Sequence, residues 1–252
     1  LASGNFVCKQ FEVSQQHSAM KVGTDSLILG SWALAEIQPD ATADSSHWVL
    51  DIGCGTGLLT LMLAQKFQSS NQVKFIAVEM DQSACIDAEF NFSQCNWAAN
   101  IQLVKSPIQD LSMGRKYQRI ICNPPYFGAG QTIQQGRALA RLQTNLDWTI
   151  LATQISQRLA LEGIAELVFP FVDFAQVKAI FAEYNLNCIA ELHIFPKLSD
   201  DVAKRVCIRV KLSTSCGSNF QKPDVEKLVI YDEQSKYTEQ YRALCRAYYL
   251  NF

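Results

Sequence analysis

An α/β fold, with a mostly parallel sheet covered by helices on both faces, is the architecture this sequence predicts. Short runs dominated by apolar residues at 48–52, 73–78, 117–122 and 164–169 lack the alternation of a strand with one wet face, so both of their faces are buried. Helical patterns separate these runs, and that succession builds a parallel sheet. A glycine turn, Gly53-Cys54-Gly55-Thr56-Gly57, leaves the first run directly, as in folds that bring backbone close to a ligand.

The elements follow in order. Residues 5–13 alternate well enough for a short strand. Residues 24–35 predict a helix, with Thr24 and Asp25 as N-cap types and Leu27, Ile28, Trp32 and Leu34 on its apolar face. Residues 39–46 form a polar linker. Strand 48–52 and the glycine turn lead into a helix over 58–67. A strand over 73–78 ends at Glu79, and a helix over 82–96 and strands at 101–104 and 117–122 come next. A long helix is expected over 137–161, with Gly163 as its stop signal. Strand 164–169, helix 173–184 and strands 187–195 and 205–212 follow. The last of these alternates strictly, with Val206, Ile208, Val210 and Leu212 on one side and Arg205, Cys207, Arg209 and Lys211 on the other. Such a pattern suits an antiparallel hairpin at a sheet edge with one solvated face. Residues 225–231 can add a small strand, and 238–249 predict a closing amphipathic helix. The expected organisation is a single domain over 1–252, made of a lead (1–46), a catalytic core (47–212) and a C-terminal extension (213–252).

Composition narrows the function. The chain has 252 residues, 48% of them hydrophobic, enough for a sizeable core. A net charge of −2 does not advertise nucleic-acid binding, so a nucleic-acid partner needs a local basic patch. No apolar run approaches the ~18 residues of a membrane span, and Leu1-Ala2-Ser3-Gly4 is too short and polar for a secretory signal. The nine cysteines form an odd set with no Cys-x-x-Cys spacing, and His17, His47 and His193 are scattered. A reduced, cytoplasmic protein that carries no metal is expected, most simply a monomer.

The glycine turn is spaced Gly-x-Gly-x-Gly, one position tighter than the dinucleotide pattern, and Asp51 stands just before it. A carboxylate there repels a pyrophosphate but attracts a sulfonium or an ammonium group, and S-adenosylmethionine carries both. Gly53 and Gly55 admit the cofactor, Glu79 can accept from its ribose hydroxyls, Met80 can pack on its adenine, and Asp110 can accept from the adenine amino group. The alternatives are ordinary packing for Met80 and a turn cap for Asp110. Thr24 and Asp25 either cap their helix or close over the methionine end of the cofactor.

Asn123-Pro124-Pro125-Tyr126 ends the strand at 117–122. The amine of a base or carboxamide is a poor nucleophile because its lone pair is delocalised. The Asn123 side-chain oxygen and the Pro124 carbonyl can each accept one amine proton and localise that lone pair. Proline, lacking an N–H, fixes the chain around these acceptors. Tyr126 can stack on the target and Phe127 can wall the pocket. Arg137 and Arg141 lie just beyond, after a glycine-containing loop, and can contact substrate; the alternative is an ordinary solvated loop. Lys197, Lys204, Arg205, Arg209 and Lys211 form a basic cluster that can meet phosphates or simply face water. Loop and clamp together point to methyl transfer from S-adenosylmethionine onto a planar nitrogen.

These residues resemble class I, Rossmann-like methyltransferases of the amino-methylating branch. More narrowly, Phe6 to Val13, the stretch Ala19-Met20-Lys21-Val22-Gly23-Thr24-Asp25 with Trp32-Ala33, and the tail Tyr237-Thr238…Tyr241…Leu244 with Tyr248-Tyr249-Leu250 are similar to bacterial tRNA(Val) adenine-N6-methyltransferases. That resemblance implies a seven-stranded sheet with one antiparallel strand. It implies a tRNA substrate methylated at N6 of adenosine 37. It also implies Asp51, Gly53, Gly55 and Glu79 as cofactor residues, with Asn123, Pro124 and Tyr126 on the amine. The family pattern has a histidine after Ala140-Arg141, where this chain carries Leu142. The alternatives are a protein glutamine methyltransferase, whose relatives carry a longer helical lead, and a DNA or rRNA amino-methyltransferase, whose relatives carry a larger recognition region.

Overall fold

The computed structural model describes residues 4–36, 47–70, 72–125, 147–213 and 222–252. Two short antiparallel strands, β1 (Phe6–Val7) and β2 (Glu12–Val13), take the place of the one expected over 5–13. The helix α1 (Thr24–Trp32) follows. Then come β3 (His47–Ile52), α2 (Leu58–Lys66), β4 (Val73–Glu79), α3 (Gln82–Gln94), β5 (Ile101–Lys105) and β6 (Tyr117–Cys122). The second half contains α4 (Trp148–Arg158), β7 (Leu159–Pro170), α5 (Phe174–Glu183), β8 (Leu186–Lys197), β9 (Arg205–Leu212), β10 (Asp224–Tyr231) and α6 (Glu239–Cys245).

Among the described residues the main sheet has eight strands in the order β10-β8-β9-β7-β6-β3-β4-β5. Only β9 runs against its neighbours. The expected single antiparallel strand is therefore present, while the expected count of seven is corrected to eight, because 224–231 add a full parallel strand to β8.

Strand residues divide by parity between two apolar layers. On one face Leu50, Ile120, Leu167 and Ile208 pack with Leu151 and Ile155 of α4 and with Val177 and Phe181 of α5. On the other face Val49, Phe75, Ile121 and Val168 pack with Ile28 and Leu29 of α1, Leu59 and Leu63 of α2, and Tyr241 of α6. The lead and tail join this second layer, where Phe11, Val13 and Tyr248 meet Leu61, Ala88 and Phe92. The closing aromatics Tyr248, Tyr249 and Phe252 are packing residues, and the Tyr248 hydroxyl donates to the Met62 carbonyl at 3.0 Å.

Three expectations change. The strand β9 is not at an edge; it lies between β7 and β8. Its face expected to be solvated is covered along the middle: Cys207 is fully buried and Arg209 pairs with Glu166 at 2.8 Å. Its direction also splits the expected basic cluster. Arg205 opens the strand at the edge where the parallel strands end, and Lys211 sits near the opposite edge. Gly163 is no helix stop, since α4 ends at Arg158 and Gly163 lies inside β7. A Cβ there would come within 2.8 Å of the Tyr117 carbonyl, where the β6–β7 register shifts. The start of the helix expected from 137 lies outside the described residues.

α1 packs beside β7; its first turn reaches Asn123 through Ser26, and the segment past its last turn reaches Arg119. Its C-terminal end is clasped by three cations. Arg209 donates to the Trp32 carbonyl at 2.6 Å and lies over the Trp32 ring. Lys66 donates to the carbonyls of Ser31 and Ala33, and Arg119 to that of Glu36. The carbonyls of Ser31, Trp32 and the C-cap residue Ala33 are the negative end of the helix dipole. Glu166, fully buried, accepts from Arg209 and from the Leu34 N–H. Its other oxygen stands 3.5 Å from Arg119, an ion pair without a hydrogen bond.

Candidate active site

Parallel strands end on one edge, and loops leaving that edge form the binding crevice of an open α/β sheet. Ile52 pairs with Cys122 across β3 and β6, so the glycine turn and Asn123 leave adjoining strands at the same level. Gly53, Gly55 and Gly57 have φ of 67°, 56° and 84°, a region that side chains rarely adopt. At Gly57 a Cβ would also strike the Phe92 ring at 2.4 Å. At Gly53 and Gly55 nothing lies within 4 Å of such a Cβ, which leaves room for a ligand against bare backbone.

Asp51 is buried below this turn. Its Oδ2 accepts from the Thr60 hydroxyl at 2.7 Å, and its Oδ1 has no hydrogen-bond partner among the described residues. Burial pushes its carboxyl up to about 7, against the Thr60 hydrogen bonds and with a smaller push from Glu79. An unpaired, desolvated carboxylate oxygen suits a cationic group. Glu79 is also raised by burial. Its Oε2 accepts from the Gly55 N–H at 2.9 Å, and its Oε1 from the N–H groups of Met80 and Asp81 at 2.8 Å each. Glu79 thus ties the glycine turn to the end of β4 and keeps spare lone pairs for a ligand hydroxyl. The thiols of Cys54 and Cys122 are pushed well up by burial and by the negative charge of Asp51 and Glu79, so both stay protonated and neither is a nucleophile.

Asn123 is half-buried, Pro124 buried and Pro125 half-buried. The Asn123 Nδ2 donates to the Ser26 hydroxyl oxygen at 2.8 Å. Met80 is half-buried at the mouth, and Asp110 is exposed in a short 3-10 turn (Ile108–Asp110) beyond β5. Thr24 is exposed. Neither Thr24 nor Asp25 caps α1, because Gly23 holds the N-cap position without a side-chain bond. Asp25 instead pairs with Arg205 at 2.9 Å. The structure therefore brings Asp51, Gly53, Gly55, Glu79, Met80, Asp110, Asn123 and Pro124 to one edge of the sheet, with Thr24 at the start of α1 beside them. Tyr126, Phe127, Arg137 and Arg141 lie outside the described residues.

Sequence reading missed three residues that build this edge. Asn91, 2% exposed in α3, donates to the carbonyls of both Ser14 and Thr56 at 2.9 Å and accepts from the Ser14 N–H at 2.7 Å. One turn earlier, Asp87 accepts from the Ser18 N–H and hydroxyl at 2.7 Å and from the His17 N–H. Burial opposes its ionisation, but the Ser18 and His17 bonds outweigh that and hold it below the usual carboxylate range. The third is Ser26. Residues 14–26 thus run from the glycine turn at Thr56 to the clamp at Asn123, pinned at both sides. The available signal was two polar residues four apart on an otherwise apolar helix face. Among the described residues no group of three or more potential ligands could hold a metal ion, and no helix is long and apolar enough to cross a membrane.

The fold and this edge define a class I methyltransferase. A family model described as "Methyltransferase small domain" matches residues 23–147. Solved structures agree on the fold. An Agrobacterium tumefaciens protein described as a predicted O-methyltransferase superposes with a TM-score of 0.61 at 15% identity, covering 89% of this chain and 96% of its own. A Listeria monocytogenes protein assigned to the class I S-adenosylmethionine-dependent methyltransferases gives 0.54 at 13%, covering 81% and 62%. Curated relatives are closer. A Shewanella frigidimarina tRNA1(Val) (adenine(37)-N6)-methyltransferase is 35% identical, with 98% of this chain and 99% of the relative covered. A Histophilus somni protein of the same name is 36% identical, with 98% of each chain covered. The chain belongs to the tRNA1(Val) (adenine(37)-N6)-methyltransferase family.

Proposed function

We propose that this protein transfers a methyl group from S-adenosylmethionine to N6 of adenosine 37 in tRNA(Val), using Asn123 and Pro124 as the clamp on the exocyclic amine. The observation that carries the reading is the level placement of a buried, half-unpaired Asp51 and of Asn123 at the ends of adjoining strands. Family membership supports the choice of acceptor.

When bound, the cofactor supplies an electrophilic methyl on sulfonium. Asp51 would offer its free oxygen to the cationic methionine portion, the Gly53–Gly55 backbone would admit the cofactor without side-chain clash, and Glu79 would accept from the ribose hydroxyls. Asn123 Oδ1 and the Pro124 carbonyl accept the two amine protons, which orients the nitrogen lone pair toward the methyl. A methyl group supplied there would pass to the nitrogen, the new N–C bond replacing the S–C bond. The nitrogen becomes acidic as it is alkylated and releases one proton to solvent. Positioning and electrostatics therefore supply the acceleration, and no histidine or thiol base is needed.

The test is labelled methyl transfer to total tRNA, total protein and duplex DNA, followed by nucleoside mass spectrometry. N6-methyladenosine at position 37 of tRNA(Val) is expected. Label confined to protein would overturn the reading.

A further inference from the structure

We propose that Ser26 is a positioning residue for the methyl transfer, resting on the clamp role of Asn123. Its hydroxyl oxygen accepts from Asn123 Nδ2 at 2.8 Å, and in that arrangement it anchors the amide with Oδ1 facing the substrate. An amide's two ends are nearly the same size and opposite in function. With Nδ2 engaged by Ser26, Oδ1 is the end left over, and among the described residues it has no other partner. Only that end can accept an amine proton. Turned over, the amide would aim its own protons at those of the substrate and oppose the transition state.

The mount is as important as the contact. Ser26 sits in the first turn of α1, and Asp25 beside it is fixed to Arg205. The helix packs through Ile28 and Leu29 onto the layer that contains Ile121, two residues before Asn123. Arg209 and Lys66 hold its far end. The hydroxyl is thus delivered to the clamp by a helix fixed at both ends. The partners are 97 positions apart in the chain, which is why no local motif announces the pair.

The experiment uses the full chain and tRNA under saturating cofactor. Wild-type transfer to tRNA is measured first. No label in tRNA sinks the functional reading but not this one, and the series is then run on whichever fraction takes the methyl group. Ser26→Ala should lower kcat by roughly ten-fold, with the cofactor dissociation constant unchanged by calorimetry. Ser26→Thr, which keeps the hydroxyl, should recover most of the rate. Ser26→Ala added to Asn123→Ala should cause little further loss, because the residue acts through the amide. An unchanged kcat in Ser26→Ala overturns the proposal. So does a loss that multiplies with that of Asn123→Ala, which would mark Ser26 as a support of α1 alone.

Discussion

The two ends of β6 lie beside buried charge of opposite sign, and they differ in how it is satisfied. At the far end three cations, Arg119, Arg209 and Lys66, surround one carboxylate, Glu166, and spend further donors on backbone carbonyls in the last turn of α1 and the segment just past it. At the crevice end Asp51 and Glu79 face no cation within the described protein, and one oxygen of Asp51 has no partner. Burial acts on both ends, lowering Lys66 to about 8 and raising Asp51 to about 7. The lesson is that buried charge marks a ligand site where its complement is missing from the chain, and a fastening where the complement is built in.

Removing the built-in complement should have the largest effect. Glu166→Gln leaves three cations without their anion, and breaking such a pair costs on the order of 3–5 kcal/mol. The denaturation midpoint should fall, while cofactor affinity of the folded protein holds. An unshifted midpoint would break the comparison at its structural end. Asn123→Ala should lower kcat by about a hundred- to a thousand-fold, as for loss of a preorganised transition-state group, with cofactor still bound. Affinity falling in parallel with rate would contradict a transition-state role. Glu79→Ala should weaken cofactor binding by about 1–3 kcal/mol, since it removes a charged acceptor and frees the glycine turn. Calorimetry showing the same dissociation constant would assign Glu79 to neither task.

The subtlest expectation concerns pH. Burial raises Asp51 from 3.8 to about 7 in the protein without ligand. Between those values the folded protein keeps a proton that the unfolded chain has lost, so stability falls as pH rises across that window. A cation seated at Asp51 favours the ionised form. Cofactor binding below about pH 7 should therefore release a proton, and affinity should rise with pH and level off above it. Calorimetry in two buffers of different ionisation enthalpy reads that proton directly. Asp51→Asn should remove the slope, and a slope that survives would place the proton elsewhere.

Much of this was legible because it is local. The bounds of β6 and β9 follow from composition alone, and Asp51, the glycines and Asn123 announce themselves by chemistry at strand ends. What stayed hidden depends on partners far along the chain. The alternation of β9 fitted an edge strand, yet Arg209 finds Glu166 43 positions away and Arg205 finds Asp25 180 positions away. Charged residues inside otherwise apolar strands, Arg119 and Glu166, were the visible sign of a buried pair. Gly163 looked like a helix stop because its real constraint, the nearby Tyr117 carbonyl, belongs to another strand. Ser26 was silent for the same reason, while Asn91 and Asp87 showed only as polar residues on an apolar helix face.

The placement of β9 also sets an order of events. The strands β7 and β8 are consecutive in the chain but separated in the sheet by β9, so that half of the sheet cannot close until residue 212 has been made. The Arg209 contact to Trp32 spans 177 positions, and contacts of such separation are slow to form. During synthesis α1 emerges early yet gains its clasp late. The helix that carries Ser26 to the clamp therefore gains its Arg209 fastening only after the residues of the cofactor half of the crevice have been made.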